Sequence, residues 1–502
     1  PAICGRVCNR RCEDACTRGR VDAAVAIDEV KKFIAQRDLN AATRYVPPVV
    51  TPTRAGGFDQ KIAIIGAGPA GLSCAFYLAE KGYKPVVFEK NERPGGMLTY
   101  GIPSFKLQKD VIEAEVEVIR LMGAEFRYGM EVGRDVTLDE LRAQGFKAFY
   151  VAIGCQGGRL AGIPGEDAED VTVAVDFLRE VNSGKIDTLS GRTIVVGGGN
   201  VAIDVARNAC RLGSEHVEMF CLESEAQMPA SEEERREAVE DGAHISCGWG
   251  PKEIHLDEAG RVCGITFKRC TRVFDDEGRF APEYDENDLR RVDADRVVMS
   301  IGQSIVWGDL LAGSKVELGR GQGALADPQT YQTAEPDIFV GGDVYTGPSF
   351  AIDAIAAGHE AAVSIHRFVQ PGSTLTIGRN QRRYTALDRD DVVIESYDNA
   401  SREVAHVDRE REKVAPFSEY VETFTEEQVR AETARCLGCG ASIVDPNKCI
   451  GCGLCTTKCA FDAIHLDRDR PECSTMVKYE QKLPSLGKYA LKRAIKIKFG
   501  RK

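Results

Sequence analysis

The chain has 502 residues, a net charge of −12 and a hydrophobic fraction of 43%. Its length predicts three or more domains, and the hydrophobic fraction is sufficient for globular cores. The negative charge argues against a nucleic-acid partner, because phosphate backbones bind concentrated Lys and Arg. No apolar stretch approaches the roughly 20 residues that a membrane helix needs, so no membrane span is expected.

The cysteines are distributed unevenly, with 11 of the 18 in the two terminal segments at short spacings. In a small secreted domain such a content indicates disulfides. In a chain of this length, the regular spacings indicate metal ligation and a reducing compartment. We therefore expect a cytoplasmic protein.

Between these segments, short β-branched runs alternate with longer amphipathic stretches. The predicted strands are Lys61–Ile65, Pro85–Phe88, Phe149–Gly154, Arg192–Val196, Val217–Cys221 and Arg296–Gly302. The alternation predicts βαβ units and parallel sheets.

A glycine-rich loop follows the first of these strands. It places Gly66, Gly68 and Gly71 at the spacing of a dinucleotide-binding turn, and Glu89 ends the next strand. In such a turn the first glycine allows the tight bend and the second lets the backbone approach a pyrophosphate. The third lets the helix pack against the strand, with the helix N-terminus facing the phosphates.

A second copy of this pattern follows the strand Arg192–Val196. Gly197 and Gly199 precede a helical stretch, and Glu223 lies just beyond the next strand. A lone glycine fingerprint is weak evidence, but here both copies have a strand before, a helix after and an acid at the expected place. The sequence therefore predicts two dinucleotide sites, as hydride exchange requires.

The cysteine spacing near the C-terminus is that of a ferredoxin. Cys449, Cys452, Cys455 and Cys459 follow the C-x2-C-x2-C-x3-C pattern of a 4Fe-4S site, whereas zinc sites prefer two separated pairs. With Cys473 the segment offers seven cysteines, which is enough for one cluster but not for two. The full set of candidate iron–sulfur ligands is Cys4, Cys8, Cys12, Cys16, Cys436, Cys439, Cys449, Cys452, Cys455 and Cys459.

These motifs resemble a known family over roughly residues 1–370. The strings at 66–71, 93–103, 197–207 and 341–343 are similar to the small subunit of glutamate synthase and its relatives. Those relatives include the large subunit of NADH-dependent ferredoxin:NADP oxidoreductase and the amino-terminal part of dihydropyrimidine dehydrogenase. The resemblance implies FAD at the first glycine loop and a nicotinamide nucleotide at the second.

The resemblance also implies roles for particular residues. Glu89 would bind the adenosine ribose of FAD, Asp343 would lie at the ribityl-phosphate side, and the backbone before the helix from Ala351 would face the flavin ring. The implied FAD residues are Gly66, Gly68, Pro69, Ala70, Gly71, Glu89, Lys90, Gly96, Met97, Leu98, Gly154, Gly342, Asp343, Ala351 and Ile352. The implied nicotinamide residues are Gly197, Gly199, Asn200, Val201, Ala202 and Glu223. No catalytic side chain is implied, because the flavin itself accepts the hydride.

The second site departs from the NADPH-binding members, which carry an Arg pair where this chain has Leu222 and Glu223. A carboxylate accepts hydrogen bonds from the ribose 2′-hydroxyl and repels a 2′-phosphate. We therefore expect NAD(H) rather than NADP(H). The alternative is a solvated Glu223, with Arg235 or Arg236 reaching the phosphate.

Two questions about the clusters stay open at this level. The N-terminal cysteines resemble only the second half of the family's cluster domain, so either they hold one cluster by themselves or further ligands lie elsewhere. The Arg435–Gly440 string is similar to the family's upstream motif. It either completes the N-terminal site or begins the ferredoxin segment.

The expected fold is α/β, with two Rossmann-like domains between a helical N-terminal iron–sulfur segment and a C-terminal ferredoxin-like domain. The expected boundaries are 1–45 for the N-terminal segment, 46–160 and 329–370 for the FAD-binding domain, 161–328 for the NAD(P)-binding domain, 371–434 for a linker, 435–475 for the ferredoxin-like domain and 476–502 for a basic tail.

The expected function is an electron-transfer subunit that moves electrons between NADH, FAD, at least one and we expect two or more 4Fe-4S clusters, and a redox partner subunit or ferredoxin. Membership of an electron-bifurcating complex stays open. The alternatives are a glutamate synthase small subunit that feeds a glutamate-forming subunit, and a non-catalytic docking subunit.

Overall fold

A computed structural model describes residues 1–49, 57–377, 379, 397–439, 444, 449–458, 464–466 and 478–499. These residues form two compact units. The first comprises Pro1–Ile377 and Leu387–Cys439, and the second comprises Gly378–Ala386 and Gly440–Lys502.

The strands are β1 (Lys61–Ile65), β2 (Val86–Glu89), β3 (Glu125–Tyr128), β4 (Phe146–Val151), β5 (Gly157–Gly158), β6 (Val171–Val173), β7 (Arg192–Val196), β8 (His216–Cys221), β9 (His244–Cys247), β10 (Trp249–Leu256), β11 (Val262–Phe274), β12 (Phe280–Val292), β13 (Arg296–Met299), β14 (Gln303–Ser304) and β15 (Ile338–Val340). The α-helices are α1 (Cys4–Val7), α2 (Arg11–Asp14), α3 (Ile27–Leu39), α4 (Pro69–Glu80), α5 (Met97–Tyr100), α6 (Lys109–Leu121), α7 (Leu138–Ala143), α8 (Ala174–Asn182), α9 (Asn200–Arg211), α10 (Glu232–Glu240), α11 (Asp343–Thr346), α12 (Ala351–Val369), α13 (Arg409–Val414), α14 (Glu426–Ala434), α15 (Leu454–Lys458) and α16 (Tyr479–Phe499).

The first lobe is built on a five-stranded parallel sheet in the order β15-β4-β1-β2-β3. Successive residues of β1 point to opposite faces: Ile62 and Ile64 enter one hydrophobic core, and Ala63 and Ile65 enter the other. Both faces are therefore covered, as parallel sheets require. The chain leaves this sheet after β4 and returns to it only at β15.

The second lobe repeats the arrangement with the parallel order β6-β13-β7-β8-β9. The central strand β7 again serves two cores, Val195 on one side and Ile194 with Val196 on the other. The doubled parallel architecture confirms the predicted fold class. An antiparallel sheet, β10-β11-β12, is added to this lobe and was not predicted.

The N-terminal segment is helical, as expected, and a late part of the chain packs against it. Low periodicity over 371–434 predicts a linker, but the described residues 397–434 carry two helices and belong to the first unit. The guanidinium of Arg435 donates to Asp22 Oδ1 (3.1 Å) and to the carbonyl of Ala23 (2.6 Å). Arg18 in turn donates to the carbonyl of Arg435 at 3.0 Å. Long-range ion pairs of this kind leave no trace in local periodicity.

The described part of the second unit contains α15 and α16. Every described residue from 478 to 498 is exposed, including Leu483, Leu486 and Ile497. Among the described helices, none combines the length and the apolar composition needed to cross a membrane.

We predict that Arg435→Leu destabilises the first unit by about 3–5 kcal/mol, because it leaves the buried carboxylate of Glu432 without its cation. Glu432, which pairs with Arg435 at 2.6 Å, has no exposed side-chain surface. The matched control is Arg430→Leu, whose side chain is 76% exposed beside Glu426, and which should cost less than about 1 kcal/mol. Urea denaturation followed by circular dichroism measures both, and equal shifts of the two midpoints would contradict the prediction.

Candidate functional site

The first glycine loop has the geometry of a phosphate-binding turn. Gly66 has a φ of +104°, and a Cβ there would lie 2.5 Å from the carbonyl oxygen of Ala152. A Cβ on Gly71 would lie 1.9 Å from the carbonyl oxygen of Gly66, so only glycine lets helix α4 approach the turn. Gly68 is different: a Cβ there would meet no described atom within 4 Å. Its missing side chain therefore leaves open space, as a bound pyrophosphate needs.

The polar groups around this space are placed for a nucleotide. Helix α4 starts after Gly68 with no side-chain cap among the described residues, so its first N–H groups are available to phosphate. Glu89 is buried at the end of β2 and accepts hydrogen bonds from the N–H groups of Ala67 (2.8 Å) and Asn91 (2.9 Å). These bonds fix the carboxylate beside the turn.

Two further helix starts lie close to the first glycine loop. Gly342 has a φ of +67°, and a Cβ on it would lie 3.0 Å from the Cβ of Ala70. It leads into α11, where Asp343 accepts a hydrogen bond from the N–H of Ser349 at 3.3 Å. Burial raises the pKa of Asp343 above its ordinary value. Helix α12 then begins at Ala351 with no side-chain cap among the described residues.

The second glycine loop repeats the geometry. A Cβ on Gly197, whose φ is +143°, would lie 2.3 Å from the carbonyl oxygen of Ser300, whereas one on Gly199 would meet no described atom within 4 Å. Helix α9 starts after Gly199, again without a side-chain cap. Glu223 lies beside this loop, with its Oε2 at 3.0 Å from the position that a Cβ on Gly198 would take.

A cavity of about 860 Å³ extends from the first glycine loop to the start of α9, which follows the second loop, and its volume is within the range of cofactor sites. Most of the expected site residues line it: Gly66, Gly68, Pro69, Ala70, Glu89, Lys90, Gly96, Met97, Leu98, Gly154, Asn200, Val201, Gly342, Asp343 and Ala351. The cavity wall does not include Gly71, Gly197, Gly199, Ala202, Glu223 and Ile352.

The same cavity is lined by residues that sequence reasoning missed. Lys106, Asp204 and Glu234 form part of its wall. So does the N-terminal segment around Cys8. Arg11 of that segment pairs with Asp353 at 2.8 Å on the first turn of α12. The cysteine-bearing segment thus borders the cavity between the first glycine loop and the start of α9.

The terminal cysteines divide between the two units. Cys436 and Cys439 belong to the first unit, together with Cys4 to Cys16, whereas Cys449 to Cys455 belong to the second. Within the described residues, no three His, Cys, Asp or Glu side chains converge as a metal site would require. Cys459 lies outside the described residues. The donor chemistry, all thiols at ferredoxin-like spacing, fits iron–sulfur clusters.

Cys221 and Cys247 form a close thiol pair that their separation in the sequence did not predict. The Sγ atoms of Cys221 and Cys247 are 3.7 Å apart, because β8 and β9 are neighbours in register. Neither residue lines the cavity.

Comparison with known proteins identifies the family. The sequence profile of the pyridine nucleotide-disulphide oxidoreductases matches residues 60–358. The chain belongs to this family. A second profile, dihydropyrimidine dehydrogenase domain II with its 4Fe-4S cluster, matches residues 1–43, and a 4Fe-4S binding domain matches residues 442–465.

Relatives at the sequence level are named as redox subunits. The chain is 35% identical over 472 residues to the NADP(+)-dependent formate dehydrogenase subunit beta of Moorella thermoacetica, covering 87% of this chain and 65% of that one. It is also 35% identical over 391 residues to the glutamate synthase [NADPH] small chain of Escherichia coli, covering 74% and 81%. The chain thus spans less than two thirds of the first relative. The resemblance expected from the glycine loops is confirmed.

The Mycobacterium tuberculosis FprA structure, solved in complex with NADPH, shares the fold. It has a TM-score of 0.54 and 19% identity, and the match covers 62% of this chain and 85% of that one. The family match and the two 4Fe-4S profiles together show a pyridine-nucleotide oxidoreductase domain and two 4Fe-4S domains in this chain. The open spaces at Gly68 and Gly199 and the uncapped helices fit FAD and a nicotinamide nucleotide.

We predict that Gly68→Ala lowers the affinity for FAD by on the order of tenfold or more, since the methyl group fills the space beside the pyrophosphate. Gly199→Ala should retain FAD and lower the affinity for the nicotinamide nucleotide instead. Each variant is the other's control, because both are non-strained positions without described neighbours. Titration of the FAD-free protein with FAD, and of the FAD-bound protein with NAD⁺, separates the two effects. Unchanged affinities would contradict the assignment.

Proposed function

We propose that the chain accepts hydride from NADH at the shared cavity and delivers electrons one at a time through its iron–sulfur segments to a partner redox subunit or ferredoxin. The observation that carries this proposal is the composition of the cavity wall. The first glycine loop, the start of α9 at Asn200 and Val201, and the segment around Cys8 line one space. A nucleotide pair and a one-electron carrier would therefore be neighbours.

FAD, when bound, supplies the conversion of a two-electron hydride into single electrons. The chain's own part is binding and orientation. Glu89 would hold the adenosine ribose, the N-termini of α4 and α9 would bind the two pyrophosphates, and the start of α12 would face the flavin ring. A helix N-terminus there stabilises negative charge.

Glu223 supports NADH as the preferred donor. Its carboxylate lies beside Gly198 at the end of β8, where it would accept hydrogen bonds from a ribose 2′-hydroxyl and repel a 2′-phosphate. Arg235, one of the two cations that would support NADPH, donates to the carbonyl of Glu225 at 2.7 Å. That bond holds one side of the guanidinium on the loop backbone. The other cation, Arg236, lies 3.8 Å from Glu240.

The candidate cluster ligands remain the N-terminal four, the ferredoxin-like four, and Cys436 with Cys439. The position of Arg435 against Asp22 and Ala23 favours assigning the last two to the N-terminal site. A cytoplasmic location accords with the cysteines: all sixteen that the structure describes are free thiols, as in reducing compartments.

Two other functions share part of this evidence. A glutamate synthase small subunit would use the same chemistry and differ only in its partner. A non-catalytic docking subunit would not need Gly66, Gly68, Glu89 and Asp343, which this chain has and which line the cavity.

Anaerobic addition of NADH, and separately NADPH, to the FAD-loaded chain tests the proposal through bleaching of the flavin absorbance. We expect NADH to bleach it rapidly and NADPH to do so at least about tenfold more slowly. Glu223→Arg should reverse this preference, because the arginine would pair with the 2′-phosphate of NADPH that the carboxylate repels. Glu225→Arg, an exposed position on the same loop, should leave the preference unchanged. Bleaching by neither nucleotide would favour the docking subunit.

A further inference from the structure

One short loop of the first lobe, the junction loop (residues 101–108), lies between α5 and α6 and contacts the second lobe. Its Lys106 extends into the second lobe, where Nζ lies 2.6 Å from Oδ1 of Asp204 on α9 and also bonds Glu234 on α10. All three residues line the shared cavity.

This ion triad is well shielded from water. The side chains of Lys106, Asp204 and Glu234 are 17%, 14% and 24% exposed. Burial disfavours the Lys106 ammonium, but the two carboxylates outweigh it and raise the pKa of Lys106 above its ordinary value. A shielded pair loses much of its stability when one partner is removed.

The residue before Lys106 strengthens the same contact. The ring of the buried Phe105 lies under the guanidinium groups of Arg207 (4.8 Å) and Arg211 (4.2 Å), which are also on α9. At the end of the loop, Gln108 donates to the carbonyl of Phe417 at 3.0 Å. The junction loop therefore contacts α9 at several successive turns.

The position of Asp204 along α9 gives this contact a functional meaning. Asn200 is the first residue of α9, and Asp204 lies one helical turn further along. The N-terminal end of α9 would bind the pyrophosphate of the nicotinamide nucleotide. Within residues 57–369, which the structure describes, the chain crosses between the lobes after β4 and again before β15, near the two-residue pairing of β5 with β14. Lys106 thus ties the phosphate-binding end of α9 to the lobe that would carry FAD.

We propose that Lys106 is a positioning residue for hydride transfer, which fixes α9 relative to the first lobe through Asp204 and Glu234 so that the nicotinamide ring meets the flavin. This inference rests on the proposed function, since it requires hydride transfer between the two nucleotides. Lys106 does not act on the reacting atoms. Its effect is on the distance between two binding sites that are each complete without it.

The test compares binding with reaction. In Lys106→Met we expect the Kd for NADH to stay within about threefold of that of the unaltered chain, while the first-order rate of flavin bleaching falls on the order of 100-fold, as small misplacements of reactants cause. Lys106→Arg, which keeps the charge and can bond both carboxylates, should restore most of the rate. Lys147→Met, at an exposed position of β4, should change neither quantity.

A third variant separates positioning from the cost of unpaired carboxylates. In Lys106→Met combined with Asp204→Asn and Glu234→Gln, no charge is left unpaired, yet the tie is still missing, so bleaching should remain slow. Hydrogen exchange in the nucleotide-free chain gives a readout besides activity, and residues 101–108 should exchange faster in Lys106→Met than in Lys147→Met.

An unchanged bleaching rate in Lys106→Met would overturn the inference, and so would a full return of the rate in the triple variant. Failure of the proposed function looks different, because the unaltered chain itself would then not be bleached by either nucleotide.

Discussion

Both lobes depend on one constraint, the close approach of the protein backbone to a pyrophosphate at the turn between a strand and a helix. At Gly66 and Gly197 the backbone takes positive φ values because a neighbouring carbonyl occupies the space of a side chain. At Gly68 and Gly199 no described atom is near, and the space stays open for the ligand. The parallel sheets place these turns at the carboxyl ends of β1 and β7, where open α/β sheets bind their ligands.

The remainder of the first unit holds the first turn and the helix that follows the second turn at one cavity. The N-terminal segment is held in place by the buried guanidinium groups of Arg18 and Arg435. Arg18 donates to the carbonyl of Arg435, and both guanidinium groups donate to Asp22. Arg402 adds a bond to Glu13 at 2.6 Å. Such pairs are costly to break one partner at a time, so residues 397–439 fasten the N-terminal cysteine-bearing segment in place. Arg11 pairs this segment with Asp353 on the first turn of α12. Residues late in the sequence thus contact residues near its beginning.

Much of the fold could be predicted because its signals are local. The strand before each glycine loop, the loop itself and the helix after it span about twenty consecutive residues, and β1 and β7 begin and end where the sequence places them. The strand β12 was missed because its alternating charged residues, such as Asp285 and Arg290, resemble a solvated loop. The helical packing of residues 397–434 was missed for a related reason, since its ion pairs join positions hundreds of residues apart.

The candidate site likewise contains residues that the sequence predicts and residues that it does not. Glu89 and Asp343 follow directly from motifs, and both line the cavity. Lys106 could not be predicted from a motif, because its partners Asp204 and Glu234 lie 98 and 128 residues further along the chain. A lysine after a buried phenylalanine carries no local sign of its role. Contacts between lobes are set by tertiary packing, and only the assembled structure reveals them.

The central claim is that electrons from a nicotinamide nucleotide pass through this one chain from the shared cavity to its iron–sulfur segments. Anaerobic mixing of the cluster- and FAD-loaded chain with excess NADH, followed by rapid freezing and electron paramagnetic resonance, tests it most directly. The account predicts that the signal of reduced 4Fe-4S clusters grows as the flavin absorbance is lost and reaches stoichiometric intensity. A fully bleached flavin beside clusters that stay oxidised, although dithionite reduces them, would contradict it.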